Sequence, residues 1–282
     1  MKNRFVKSLG NFGKLVLKWT FYFLLIIVIA LTIKVFFVEI YRVPSSSMEP
    51  TLISGDFIMV SKMSYGARLL KFRKFFKEGK IEYIRIWGWN HIKRGDVFVF
   101  NWPNYRSLTG SSPNMYGDYI VKRCYGLPGD SVVIENKGMK NEEIRSNKLA
   151  EVKSTLFPYD SILNWTLDRY GPLLVPGKGI TLELTPVAAK HYKDVILYEG
   201  YKTKIRNDSV FLSGIYTKTL TFKNNYYFMK GDNFYGSQDS RYWGFVPEDN
   251  VVGKVTLITF SFEEYGSWLK RIRWRRIIKP IK

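Results

Sequence analysis

The sequence is short of the residues on which many hydrolases and metalloproteins depend. Cys124 is the only cysteine in 282 residues, so no intrachain disulfide can form and the fold must hold by burial alone. The two histidines, His91 and His191, sit in no distinctive motif, which leaves a Ser-His-Asp triad poorly supplied. HExxH, CxxC and clustered histidines are all missing, so neither a metal nor a cofactor is expected. There is no repeat of fixed period and no low-complexity tract. Disorder is excluded as well, because 46% of the residues are hydrophobic and 17% aromatic.

Acidic residues are scarce in three stretches, and these set the charge. Residues 1–18 carry five basic residues and no acid, 68–94 carry nine basic and two acidic, and 267–282 carry seven basic and no acid. Together they account for nearly all of the formal +20. A nucleic-acid-binding domain more often spreads its cations over one folded face. Cations at the chain ends and in one insertion fit an anionic membrane surface better, so lipid is the expected partner and nucleic acid is not.

One long apolar run is present. Trp19 to Val38 reads WTFYFLLIIVIALTIKVFFV, interrupted only by Lys34. Twenty residues at the helical rise span roughly 30 Å, about one bilayer core. Lys34 lies near the far end, where its stem can snorkel, and Trp19 and Tyr22 suit an interfacial belt. The basic residues before the span place the N-terminus in the cytoplasm and the rest of the chain outside, on a single-pass membrane protein. A cleaved secretory signal has the same beginning. Against it, the run is long, and Val38, Glu39 and Ile40 after it are bulky or charged rather than small.

Beyond the anchor, short runs rich in Val, Ile, Phe and Tyr alternate with turn signals such as Gly55-Asp56, Gly95-Asp96 and Pro128-Gly129-Asp130. The pattern predicts a mostly β fold with antiparallel strands. Residues 39–135 and 223–266 form the expected core, with a basic aromatic insertion at 68–94. Residues 136–222, with loop-forming Pro and Gly, read as an inserted smaller β subdomain, and 267–282 as a basic tail.

Three blocks carry candidate chemistry. The first is Pro44-Ser45-Ser46-Ser47-Met48-Glu49-Pro50, directly after the anchor. Alone it reads as a polar linker, but the strand-like Phe57–Val60 follows closely, so the serines abut a folded core. The second is Asp118-Tyr119-Ile120-Val121-Lys122-Arg123. Strand alternation sends Lys122 and Arg123 to opposite faces, and one of them can go inward. A lysine serves as general base only when neutral, which burial achieves by lowering its pKa. The third is Gly231-Asp232-Asn233 through Ser237-Gln238-Asp239-Ser240-Arg241, a polar loop with an Asp/Arg pair able to hold one geometry. An edge-strand lysine in water and a common turn cluster are the plain readings of the last two.

In this order the blocks closely resemble the bacterial type I signal peptidases, or leader peptidases. The resemblance rests on PSSSMEPTL with GDFIMV, on KRGDVFVF at 93–100, on DYIVKR with GLPGD, and on GDN…SQDSRYWGFVP followed by Val252-Gly253-Lys254. It implies a membrane-anchored serine endopeptidase with a Ser/Lys dyad that cuts signal peptides from exported preproteins after a small-x-small motif. By position it implies Ser47 as nucleophile and Lys122 as general base. It implies Ser45 at the oxyanion hole, Ser237 orienting the lysine, Asp239 and Arg241 bracing that serine, and Met48 and Val121 near the substrate pocket. It also implies an antiparallel β catalytic core with a smaller inserted β domain. Phe234 departs from the family, where a basic residue often follows GDN, and Ser46 stands where glycine is common. A self-cleaving Ser/Lys regulator shares the dyad, and an anchored β binding module would explain the charge. The anchor and third block argue against the first, and the three ordered blocks against the second.

Overall fold

The computed structural model describes residues 2–70, 83–102, 119–135, 156–263 and 271–281. Helix α1 spans Lys2–Thr32 and passes into a π-helical turn, Ile33–Phe37. From Gly13 to Phe37 the helix is long and apolar enough to cross a membrane. Among the described residues its leucines, isoleucines and aromatics from Leu15 to Ile33 are not buried by the rest of the fold; Leu17 is 72% exposed. An apolar helix exposed all round needs a lipid solvent. The expected apolar run from Trp19 to Val38 falls within this helix and the turn and strand that continue it.

Strand β1 (Val38–Arg42) starts where the π turn stops, and pairs antiparallel with β2 (Asp56–Ser61). The strands β3 (Arg68–Leu70) and β4 (Tyr83–Arg85) form a hairpin from the basic insertion, whose residues 71–82 lie outside the described residues. Next come β5 (Val97–Asn101), β6 (Tyr119–Gly126) and β7 (Ser131–Glu135). The segment 156–222 contributes β8 (Arg169–Leu174), β9 (Thr181–Glu183), β10 (Thr203–Arg206), β11 (Ser209–Leu212), β12 (Ile215–Tyr216) and β13 (Thr219–Thr221). It also holds two short helices, α2 (Pro186–His191) and α3 (Lys193–Tyr198). The chain returns through β14 (Tyr226–Lys230), α4 (Ser240–Trp243), β15 (Val246–Pro247), β16 (Val251–Ser261) and β17 (Lys279–Pro280).

Eight of these strands make one antiparallel sheet in the order β1-β2-β16-β5-β6-β14-β15, with β17 added to β16. Central β5 explains its own composition. Val97 and Val99 fill one core with Met48, Leu52, Ile58 and Val60, whereas Phe98 and Phe100 fill the opposite core with Cys124, Met229 and Trp243. A strand buried on both faces reads as a continuous apolar run. Likewise β14 sends Tyr227 and Met229 to the second core and Tyr226 and Phe228 to a third.

That third core corrects one expectation. Pro and Gly in the inserted segment suggested loops more than a packed centre. Instead Leu173, Val175, Tyr192, Ile196 and Phe222 close over Tyr226, Phe228 and Phe245. The helices were not foreseen, although Thr185 caps α2 by accepting from Ala188 N at 3.1 Å and Pro186 opens it. Residues 136–155 of this expected subdomain lie outside the described residues.

The basic stretches are also less free than their charge implied. Arg85 donates to the carbonyls of Gly66 (3.0 Å), Glu248 (2.9 Å) and Val251 (2.6 Å). Arg276, in the tail, grips the fully buried Asp56 carboxylate at 2.6 and 3.0 Å. These guanidiniums hold the fold, because their planar donors satisfy buried acceptors.

Candidate active site

The loop between β1 and β2 carries Ser47. Its ends are tied by Val43 N donating to Asp56 O (2.8 Å) and Gly55 N to Val43 O (2.9 Å). Inside it, Leu52 N donates to Met48 O (2.9 Å), which makes a helical turn and buries both side chains completely. Ser47 is thereby held at the edge of a packed core, 9% exposed.

Lys122 approaches from β6, where burial alternates and Lys122, Cys124 and Gly126 face inward. Its register partner on β5 is the fully buried Phe98, so it shares a face with an aromatic ring. The Lys122 side chain reaches Ser47, with Nζ donating to Oγ at 2.5 Å. Burial lowers the lysine pKa to about 8 from an ordinary 10.5, although Asp239 and Asp232 pull the other way. A buried amine against a serine hydroxyl can take up its proton once neutral.

Arg123 points to the opposite face, as alternation requires. It forms a two-pronged bridge to Asp232 (2.8 and 2.7 Å) and also donates to Gly95 O (2.7 Å) and Thr51 Oγ1 (3.3 Å). One guanidinium thus ties together the serine loop, the turn before β5 and the loop after β14. The Asp232 carboxyl stays below its usual value: burial would raise it, but hydrogen bonds from Arg123 and Thr51 and the charges of Arg123 and Lys230 together outweigh burial.

The 231–241 loop closes the site. Asp239 and Arg241 are both fully buried and pair through Nε–Oδ1 and Nη2–Oδ2, each at 2.8 Å. Asp239 also accepts from Gly231 N (3.0 Å) and caps α4. Arg241 stacks over the Phe234 ring (4.6 Å) and donates to Phe234 O (2.6 Å), while Lys230 lies over the same ring at 4.7 Å. The family-divergent phenylalanine therefore receives two cations.

The remaining expected residues are placed as follows. Ser45 Oγ lies 3.3 Å from Ser47 Oγ. Val121 and the buried Met48 belong to one core. Ser237 is 2% exposed and, among the described residues, its Oγ has no hydrogen-bond partner, Lys122 included. Its neighbour is Gly231, where an added Cβ would meet both Ser237 Oγ and Ser47 O. His191 pairs with Asp160 (2.8 Å) and His91 is exposed; neither is a partner of Ser47. Among the described residues no group of His, Cys, Asp and Glu gathers as a metal site would.

Sequence reasoning passed over Asn233. Its amide Nδ2 donates to Ser46 O and its backbone NH to Ser47 O, both at 3.1 Å, and its Oδ1 accepts from Gly236 N at 3.1 Å. The signal was an Asx residue after Gly-Asp, which turns use freely.

A family model described as "Signal peptidase, peptidase S26" matches residues 16–260. The chain belongs to that family. Signal peptidase I of Buchnera aphidicola subsp. Baizongia pistaciae is 32% identical over 267 residues, covering 89% of this chain and 79% of the relative. That of Buchnera aphidicola subsp. Schizaphis graminum is 34% identical over 261 residues, covering 88% and 77%. That of Haemophilus influenzae is 29% identical over 278 residues, covering 91% and 73%. As a signal peptidase of this family, the protein is a serine endopeptidase that removes signal peptides. Its α1 helix anchors it to a membrane.

Proposed function

We propose that Ser47 is the nucleophile and Lys122 the general base of this peptidase. The contact between Lys122 Nζ and Ser47 Oγ carries the reading. Neutral Lys122 takes the Ser47 hydroxyl proton as Oγ attacks the scissile carbonyl carbon. The oxyanion of the tetrahedral intermediate is stabilised by hydrogen-bond donors from the Ser47 backbone NH and the Ser45 hydroxyl. The Lys122 ammonium then protonates the departing amine, leaving an ester on Ser47. Water attacks that ester with Lys122 again as base, which releases the signal peptide acid and restores the hydroxyl.

Ser237 is assigned to orient the Lys122 amine, and the Asp239–Arg241 pair to brace the loop that bears Ser237. Met48 and Val121 are assigned to the wall of the substrate pocket. A shallow apolar wall admits small side chains and rejects large ones, in keeping with a small-x-small cut. The substrates are preproteins presenting such a site outside the membrane, the N-terminus being cytoplasmic and the catalytic core extracytoplasmic on the plasma membrane. Residues 39–135 and 223–266 act as the catalytic core and 136–222 as an inserted subdomain. The core also rests on lipid. Trp87 (88% exposed), Trp89, Trp274 and Ile278 are bare apolar side chains beside basic residues, a composition suited to headgroups. Residues 264–270 of the adjoining segment lie outside the described residues.

The test uses the full chain in detergent and a preprotein with alanine at the first and third positions before its cut. Wild type is expected to cleave after Ala-x-Ala. Ser47→Ala and Lys122→Met, folded by thermal melt, are expected to lose activity by about a thousandfold or more. Undiminished cleavage by Ser47→Ala would overturn the assignment.

A further inference from the structure

The anchor enters the sheet without a linker. The π turn Ile33–Phe37 ends α1, and Val38 is already paired with Ser61 in the sheet. A helix end leaves its last carbonyls without intrahelical donors. Val38 N returns to Ile33 O. Lys62, the residue after β2, satisfies two more: its Nζ donates to Lys34 O and its backbone NH to Phe37 O, each at 2.8 Å.

The same ammonium pairs with Glu39 Oε2 at 2.8 Å, and Tyr41 Oη donates to that oxygen at 2.7 Å. Both partners are largely sheltered, with the Lys62 side chain 14% and the Glu39 side chain 23% exposed. Burial would raise the Glu39 carboxyl, yet Lys62 and Tyr41 hold it below its ordinary value. A cation at a helix C-terminus also meets the negative end of the helix dipole. One side chain therefore binds the last turn of the anchor, the first strand and the second strand together. The loop that carries Ser47 springs from the other end of those two strands.

We propose that Lys62 is a positioning residue that locks the anchor to the sheet, sets the height of the active site above the bilayer, and so selects preproteins by the distance of their cut site from the membrane. The proposal rests on the Ser47–Lys122 reading. The clamp touches no reacting atom. It acts by removing the rocking that a free helix–strand joint would allow, and misplacement of a bound carbonyl by about 1 Å is enough to cost rate heavily. A substrate held by the membrane feels that rocking, and a soluble peptide does not.

The experiment reconstitutes the full chain in vesicles of phosphatidylcholine and phosphatidylglycerol, as wild type, Lys62→Met, Lys62→Arg and Ser47→Ala. Each is given a soluble peptide spanning a cut site, a membrane-inserted preprotein, and the same preprotein with its cut site moved several residues outward. Lys62→Met is expected to cleave the soluble peptide within about twofold of wild type, and the preprotein about tenfold more slowly. It is also expected to lose wild type's preference between the two preproteins, while Lys62→Arg keeps both rate and preference. Equal slowing of peptide and preprotein would mean a plain structural brace and would overturn the proposal. An unchanged preprotein rate and preference would overturn it as well. Wild type cleaving the peptide no better than Ser47→Ala would instead remove the catalytic reading on which the proposal depends.

Discussion

A lysine amine at physiological pH is ordinarily charged and cannot accept a proton. Lys122 is moved toward the neutral form, its pKa lowered to about 8, because β6 delivers it into a packed interior against Phe98, and because its near neighbours, Asp239 and Asp232, are themselves engaged by Arg241 and Arg123. Carboxylates bound to guanidiniums do less to hold a proton on the amine than free ones would. At the same scale Asn233 fixes the carbonyls of Ser46 and Ser47, the residue proposed as nucleophile. Asn233→Ala removes the bond to Ser46 O and the brace on Gly236, and leaves the backbone bond to Ser47 O. Its expected effect is a fall in kcat of about tenfold with KM nearly unchanged, since the serine loses alignment but the pocket persists. Steady-state kinetics on a peptide substrate check this. A rise in KM alone would show that Asn233 serves the pocket and not the nucleophile.

Among the described elements, the 231–241 loop holds an ion pair with both side chains fully buried. Asp239 and Arg241 have no exposure at all. Breaking such a pair leaves a lone charge in the interior and costs about 3–5 kcal/mol. Asp239→Asn and Arg241→Met are each expected to lower stability by about that amount, and the double variant by less than their sum. Denaturant unfolding of the three variants measures the coupling, and simple additivity would contradict it. Several features of these elements were legible in the sequence. The 20-residue apolar run announced α1, and strand alternation over Ile120–Arg123 announced that one of two adjacent cations goes inward. The helices α2 and α3 were not legible, because six-residue helices lack the length for a periodic signal. Nor was the tail's strand β17, because two residues of Lys-Pro carry no strand propensity and pair only through tertiary context.

For the molecule as a whole, part of the +20 charge is spent inside the fold. Arg68, Arg85, Arg273 and Arg276 turn inward to carbonyls and to Asp56, so part of the basic character is structural. The charge distribution alone cannot separate a cation that meets lipid from one that ties a tail to a sheet. Lys62 is the clearest case. Its meaning depends on a contact 28 residues away at Lys34, which no local pattern reveals. On the proposed assignment of Ser47 and an extracytoplasmic core, tethering the Ser47 loop within about 30 Å of the anchor's end would keep the nucleophile beside the boundary where signal peptides emerge.

The pH profile of kcat/KM on a soluble peptide tests the central claim most directly. Only neutral Lys122 can accept the Ser47 proton, and its pKa is lowered to about 8. Activity is therefore expected to be low at neutral pH, to rise through a midpoint near about 8 and to level off above it, within about one unit of that value. A rising limb centred near about 6.5, the ordinary range of histidine, or an activity independent of pH, would contradict a Ser47–Lys122 dyad.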